Sequence, residues 1–313
     1  MYGRQYELLA VRMMLQDEER DLSRIVPVVE PVMARINDLQ RCIRLCGEAD
    51  QSIGIVVNPN KHELAHAAAF DQWQDHVWPL IDESPHVIPV LRCEEVTTRA
   101  EVESFLQRFE GRPVALLFFG IGMSRRDQQW LSRQEQVRWH VVLTDRVSSD
   151  FWNELPREKV ILLKDCFNRL NRNADYDGSE FFTDRHRTYH QIAAGIGDYL
   201  CIGRLFQSGG GAPGAVVIHA IFKERERGDL WVEHFLSDDQ IPNEGDLAEK
   251  FLQAARKLAR AARRRPAEFG SNPALVEYKR LVQSDEFPQL GTNKKLQMVH
   301  HMCVVLDVLQ DRL

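Results

Sequence analysis

Polar residues capable of chemistry fall at the ends of short apolar runs along this sequence. One run ends in Glu30-Pro31, the next in Asn58-Pro59-Asn60, and later ones in Arg92, Asp145 and Lys164-Asp165. Another contains His219, and Asp198 precedes the run before it. Carboxylates, a histidine and cationic groups gathered in one cleft can share acid/base work, each shifting the pKa of its neighbours. On this reading Glu30, Asp165 and His219 are the catalytic candidates. Asn58, Arg92, Asp145, Lys164, Asp198, Arg204, Gly209 and Gly210 are the candidates for holding a ligand. The plainer alternative is that strand ends meet solvent, where Asn, Asp and Pro are common turn residues.

Individual groups carry their own alternatives. Lys164 would serve as a Schiff-base amine if desolvated and is otherwise a surface lysine. Asp165 faces the opposite side from Lys164 if the strand continues, so only one of the two points inward. His219, inside Val216-Val217-Ile218-His219-Ala220, is either an acid/base group or a core histidine bonded to backbone. Gly209 and Gly210 begin a glycine run that can bring backbone N–H groups close to an anion. That run lacks a GK[ST] sequence and a following helix start, so a flexible turn is the competing reading. No second histidine stands at ligand spacing from His219, so no metal site is expected, and no cofactor is specified.

These residues need a scaffold that places strand ends together. The apolar runs are 25–29, 53–57, 87–91, 114–119, 140–143, 160–163, 199–202 and 215–221. Continuous Val/Ile/Leu runs of this length suit strands buried on both faces of a parallel sheet. Amphipathic stretches at 33–45, 62–81, 100–109 and 125–138 lie between them. The spacing is roughly the 30 residues of a βαβ unit. The expected fold is α/β, a (β/α)8 TIM-like barrel with its reactive groups at the C-terminal strand ends. Residues 148–158 allow only a short helix and 204–214 no full crossover helix, so the barrel is expected to be incomplete or distorted.

Residues 229–236 read as a further strand after a turn at 226–228. From 245 onward helical patterns follow at 246–265, 273–283 and 293–309, with Pro266 as a break. The expected division is a TIM-like barrel over 1–243 and a helical appendage over 244–313. The connection after the sixth run, residues 166–186, is the longest and carries Arg, Asn, Asp and aromatic residues that can close over a ligand or form a surface excursion.

Composition bounds the partners. The chain has 313 residues, 44% hydrophobic and 27% charged, which excludes disorder and collagen-like repeats. Its net charge of -6 argues against a surface built to coat nucleic acid. Arg256, Arg260 and Arg264 do share one helical face, a stripe read here as solvated because interleaved aromatics are absent. The six cysteines show no CxxC pairing, which points to a reducing cytoplasm. The start of the chain lacks a signal-like pattern and no stretch reaches the roughly 18 apolar residues of a membrane span, so a soluble cytoplasmic protein without membrane contact is expected.

Several phrases together resemble a bacterial family related to the beta-protein family, often encoded beside a small partner gene. They are Gly3-Arg4-Gln5-Tyr6-Glu7, Val29-Glu30-Pro31, Val57-Asn58-Pro59, Asn173-Ala174-Asp175-Tyr176, Glu180-Phe181-Phe182-Thr183-Asp184, Gly197-Asp198-Tyr199, Val217-Ile218-His219 and Leu290-Gly291-Thr292-Asn293-Lys294-Lys295. The resemblance spans nearly the whole chain. It implies a barrel-like fold and a two-gene cassette, in a mobile element or in antiphage defence, with a protein partner encoded nearby; it supplies no reaction and no catalytic set. Two expectations follow. The first is a barrel that binds a phosphorylated or nucleotide-like small molecule at its C-terminal mouth; the second is a catalytically inactive barrel that serves as an interaction scaffold for its partner.

Overall fold

A computed structural model describes residues 1–209, 214–241 and 245–313. Its strands are β1 Val28–Val29, β2 Ile53–Val56, β3 Val87–Cys93, β4 Val114–Phe118, β5 Val137–Leu143, β6 Val160–Leu163, β7 Ser179–Thr183, β8 Gly195–Gly197, β9 Val217–Lys223 and β10 Leu230–Leu236. The helices are α1 Gln5–Met14, α2 Asn37–Glu48, α3 Ala67–Glu83, α4 Arg99–Arg108, α5 Arg125–Leu131, α6 Ser149–Trp152, α7 Leu247–Arg264, α8 Pro266–Phe269, α9 Pro273–Gln283 and α10 Leu290–Leu309. The chain forms two compact units. The first comprises Met1–Arg4, Val26–Asp165 and Arg187–Asp198; the second comprises Gln5–Ile25, Cys166–His186 and Tyr199–Leu313. The boundary expected at 243/244 lies outside the described residues.

The first unit is an α/β layer built on a parallel sheet in the order β1-β2-β3-β4-β5-β6-β8. Every residue of β2 and β4 is buried, as continuous apolar runs require when both faces are covered. Burying side chains such as Ile53 and Ile55 contributes roughly 1.5–3 kcal/mol each. Helices α2 to α6 connect successive strands from β1 to β6. Helix α4 begins at a capping box, in which Thr98 Oγ1 accepts from Glu101 N while the Glu101 carboxylate accepts from Thr98 N.

Sequential order is that of a barrel wall, but the eight-stranded barrel is not formed among the described residues. The seventh parallel strand is β8, not residues 199–202, where Leu200–Ile202 is a short 3-10 helix. Two glycines conceal β8 in the sequence. A Cβ on Gly195 would stand 2.9 Å from Ile161 Cδ1 and one on Gly197 3.3 Å from Leu163 Cδ1, so the β6 side chains fill the room that residues of β8 would occupy. The eighth run is β9, which pairs antiparallel with β10 in the other unit. At the opposite edge, residues 1–3 bond alongside β1: Glu30 N donates to Met1 O at 2.9 Å and Gly3 N to Glu30 O at 2.8 Å. The edge where a closing strand would pair is thereby engaged.

The second unit has a three-stranded antiparallel sheet, β7-β10-β9. The expected hairpin is present, its turn held by Glu224, whose carboxylate accepts from Glu226 N and Arg227 N. Helix α10 packs on β9, α1 and α9 and is buried over most of its length. Arg20 is enclosed beside it: its guanidinium donates to Asp17 at 2.6 Å, Asp307 at 2.7 Å and Ser271 O at 2.6 Å. The C-terminal helical pattern and the break at Pro266 match the sequence reading; α1 and β7 were not anticipated. Among the described residues no helix is long and apolar enough to cross a membrane.

One buried group makes the first unit sensitive to acid. His140 on β5 is fully buried, lies 6.2 Å from the Phe118 ring, and has no hydrogen-bond partner on either ring nitrogen among the described residues. Burial, reinforced by Lys159, pushes its pKa down from 6.5 to about 3. The unfolded chain therefore binds a proton that the folded chain refuses. The His140 contribution is complete above the unfolded pKa of 6.5 and is lost as pH falls toward about 3. By pH 5 that loss is about 2 kcal/mol. Urea unfolding at pH 7.5 and pH 5 should show His140→Phe losing about 2 kcal/mol less than the parent between the two conditions. Equal losses in both proteins would contradict the burial of a neutral ring.

Candidate functional site

At the C-terminal ends of β1, β2 and β3, one carboxylate oxygen holds two cations. Glu30 Oε1 accepts from Lys61 Nζ at 2.6 Å and from Arg92 Nη1 at 2.6 Å. All three side chains are largely buried: 9% exposed for Glu30, 11% for Arg92 and 22% for Lys61. Parallel register creates this meeting. Val28 pairs with Gly54 and Val56 with Val90, so the C-terminal ends of the three strands and the residues that follow β1 and β2 lie on one edge.

Asn58 extends the β2–β3 ladder beyond its last backbone bond. Val57 N donates to Val90 O at 3.0 Å, and the Asn58 amide then takes over. Its Oδ1 accepts from Arg92 N at 2.8 Å and its Nδ2 donates to Arg92 O at 2.9 Å. This amide fixes the backbone that carries the guanidinium. Arg92 further donates to Glu94 Oε1 from Nε at 2.7 Å and to Asn60 Oδ1 from Nη1 at 3.0 Å, and it stacks 4.3 Å from the Phe119 ring centroid. Lys61 Nζ lies 5.5 Å from the Tyr2 ring centroid. A Cβ on Gly122 would fall 1.9 Å from Glu95 O, so only glycine lets the β4–α5 loop lie against the segment that carries Glu94.

The electrostatics separate the two cations. Burial lowers the Lys61 pKa, and Glu30 only partly opposes it. Burial also works against the Arg92 charge, but Glu30 and Glu94 more than offset it, leaving the Arg92 pKa above its ordinary value. Lys61 has three N–H donors, of which one is used among the described residues.

The other expected residues of the first unit lie on the same sheet edge. Asp145 is exposed in the turn after β5, and Lys164 is exposed directly after β6, its backbone N donating to Gly197 O at 3.1 Å. Asp165 follows, half-buried. Asp198, placed before the seventh strand by the sequence, instead follows β8 directly and so ends a strand as Glu30 does. Lys61, Asn60 and Glu94 are contributors that sequence reasoning did not select. Their signal was adjacency, since Lys61 follows Asn58-Pro59-Asn60 and Glu94 stands two residues after Arg92.

His219, Arg204 and Gly209 belong to the second unit. Arg204 is half-buried, Gly209 adopts φ +91°, and Gly210 lies outside the described residues. His219 is the inner end of a polar chain. Its Nδ1 is 2.8 Å from His234 Nδ1, and His234 Nε2 is 3.3 Å from Glu180 Oε1. Phe167 and Tyr176 stand edge-on to the His219 ring at 4.9 and 4.5 Å. Burial, then the neighbouring His234, pushes the His219 pKa down to about 3; burial also lowers that of His234 against the pull of Glu180. On α7, Arg256 pairs with Glu249 and Asp285 at 2.9 Å each, while Arg260 and Arg264 are exposed, so the arginine stripe is partly neutralised. Among the described residues no group of three His, Cys, Asp or Glu side chains is arranged to hold a metal ion.

No family model, curated protein or solved structure matches this chain.

The geometry of the Glu30 cluster has a direct energetic consequence. Glu30→Gln leaves two largely buried cations without their shared carboxylate and should cost about 3 kcal/mol. Lys61→Met leaves the Glu30–Arg92 pair intact and should cost about 1 kcal/mol or less. Paired denaturant titrations distinguish these values, and equal costs would show that Glu30 is not the shared centre.

Proposed function

We propose that the mouth of the parallel sheet binds a small phosphorylated or nucleotide-like molecule. The observation that supports this reading is the convergence of Lys61 and Arg92 on Glu30 Oε1 at the C-terminal strand ends, the edge where barrel-type parallel sheets bind ligands. Glu30 and Glu94 together balance the two cations, so an anion gains its place through the Lys61 donors that the cluster leaves over and by replacing Glu94 on Arg92. The further Lys61 donors suit a phosphate oxygen. Glu94, with 34% of its side chain exposed, accepts the hydroxyls of a sugar or exchanges with the phosphate for Arg92. Lys164 adds an exposed positive charge on the same edge.

Calorimetric titration with ATP, ribose 5-phosphate and inorganic phosphate, each set against adenosine or ribose, tests the ligand class. At least one phosphorylated compound should bind while its unphosphorylated counterpart does not. Lys61→Met should weaken that binding at least about tenfold, equivalent to about 1.4 kcal/mol. Absence of binding by all three phosphorylated probes, or binding unchanged in Lys61→Met, would overturn the proposal.

A further inference from the structure

Lys61 stands where an amine becomes reactive. Its Nζ and Arg92 Nη1 each lie 2.6 Å from Glu30 Oε1, so two positive charges are close neighbours in a largely buried place. Desolvation and a nearby cation are the two conditions that turn a lysine into a nucleophile, because both disfavour the ammonium form. The charged groups that face Nζ are Glu30, directly after β1, and Arg92 and Glu94 at the end of β3; the Tyr2 ring centroid is 5.5 Å away. Burial, aided by Arg92, outweighs the two carboxylates, and the Lys61 pKa falls below its ordinary value. The amine also meets solvent: 22% of the Lys61 side chain is exposed, and one of its three N–H donors is used among the described residues. Lys250 shows the contrasting, structural arrangement. Its side chain is 3% exposed, its Nζ donates to Gly214 O at 2.7 Å and Ile241 O at 2.8 Å, and Asp239 Oδ1 lies 3.4 Å away, so acceptors enclose it.

We propose that Lys61 is a nucleophile that condenses with the carbonyl group of a small aldehyde or ketone, its protons passing through Glu30. This rests on the reading of the sheet mouth as a ligand site and narrows the ligand to a carbonyl compound; a sugar phosphate in its open-chain form meets both descriptions. The step balances. Glu30 takes one proton from the Lys61 ammonium, and the freed lone pair bonds to the carbonyl carbon as the C=O π pair moves onto oxygen. That oxygen takes the proton from Glu30 and becomes a hydroxyl. Glu30 then removes a second proton from nitrogen and passes it to the hydroxyl, which leaves as water while the nitrogen lone pair forms C=N. The product is a protonated imine carrying the charge of the original ammonium. Both hydrogens of the water come from nitrogen, Glu30 ends as a carboxylate, and nothing is oxidised or reduced. Arg92 keeps its charge throughout and holds Glu30 in place.

Aldehyde labelling of the intact protein at pH 7 tests the site. Sodium cyanoborohydride reduces an imine to a stable secondary amine, so peptide mass mapping identifies each lysine that reacted by a gain of the aldehyde's mass less one oxygen atom. With glycolaldehyde and ribose 5-phosphate in separate runs, Lys61 should be labelled at least about tenfold faster than the exposed Lys164, the factor that one unit of pKa gives in free amine. Lys250 should stay unlabelled. In Glu30→Gln, which cannot accept a proton, labelling of Lys61 should slow while an unlabelled Lys250 shows that the variant is folded; unchanged Lys61 labelling there would remove Glu30 from the step. Selective labelling by glycolaldehyde in a protein that binds no phosphorylated probe would overturn the phosphate reading and leave the reactive lysine standing. Phosphate binding with Lys61 labelled no faster than Lys164 by either aldehyde would overturn this inference alone.

Discussion

A carboxylate oxygen shared by two largely buried cations organises the edge of the parallel sheet. Neither Lys61 nor Arg92 is well solvated, and each would be costly where it stands without Glu30. Their meeting depends on strand register. A one-residue slip of β2 against β3 would move Asn58 away from the Arg92 backbone and send its side chain to the other face of the sheet. The apolar interior of β2, β3 and β4 resists such a slip, because it would have to repack side chains buried on both faces. Ion pairing at the edge and hydrocarbon packing in the sheet therefore enforce the same alignment.

The second unit solves the inverse problem. There a single buried guanidinium, Arg20, is shared by Asp17 and Asp307, whereas in the first unit one acid is shared by two bases. Asp17 and Arg20 are almost wholly enclosed, with 2% and 1% of their side chains exposed, so that cluster serves packing. The Glu30 cluster lies nearer solvent, with 22% of the Lys61 side chain exposed. Composition alone could not have separated the two roles, since both clusters use ordinary charged residues.

The parallel strands were legible wherever the chain marks them with Val, Ile and Leu, as in β2, β4 and β6. Two kinds of information were not. Glycines in β8 erase the apolar signal, because their neighbours on β6 supply the bulk. The direction of β9 was also hidden: an apolar run buried on both faces reads alike whether its neighbours are parallel or antiparallel. Glu30, Asn58 and Arg92 were legible as residues that end strands, whereas Lys61 came into view only once folding had brought residues 31 positions apart together. His219 was selected as an isolated histidine. Its partners His234 and Glu180 lie on β10 and β7, and the pairing of β10 with both β7 and β9 is what unites them.

The two units are interleaved along the chain, and that has a consequence for biosynthesis. The first unit cannot add β8 until residues 166–186, which belong to the second, have already left the ribosome. The second unit is more strongly delayed: Arg20 waits for Asp307, 287 residues downstream, and α1 waits for α10. Closure over such separations comes late because its entropic cost precedes its reward. During translation, then, residues 5–25 remain without their final packing until α10 has been made. That interval exposes the apolar side of α1, a transient aggregation hazard that the finished fold removes.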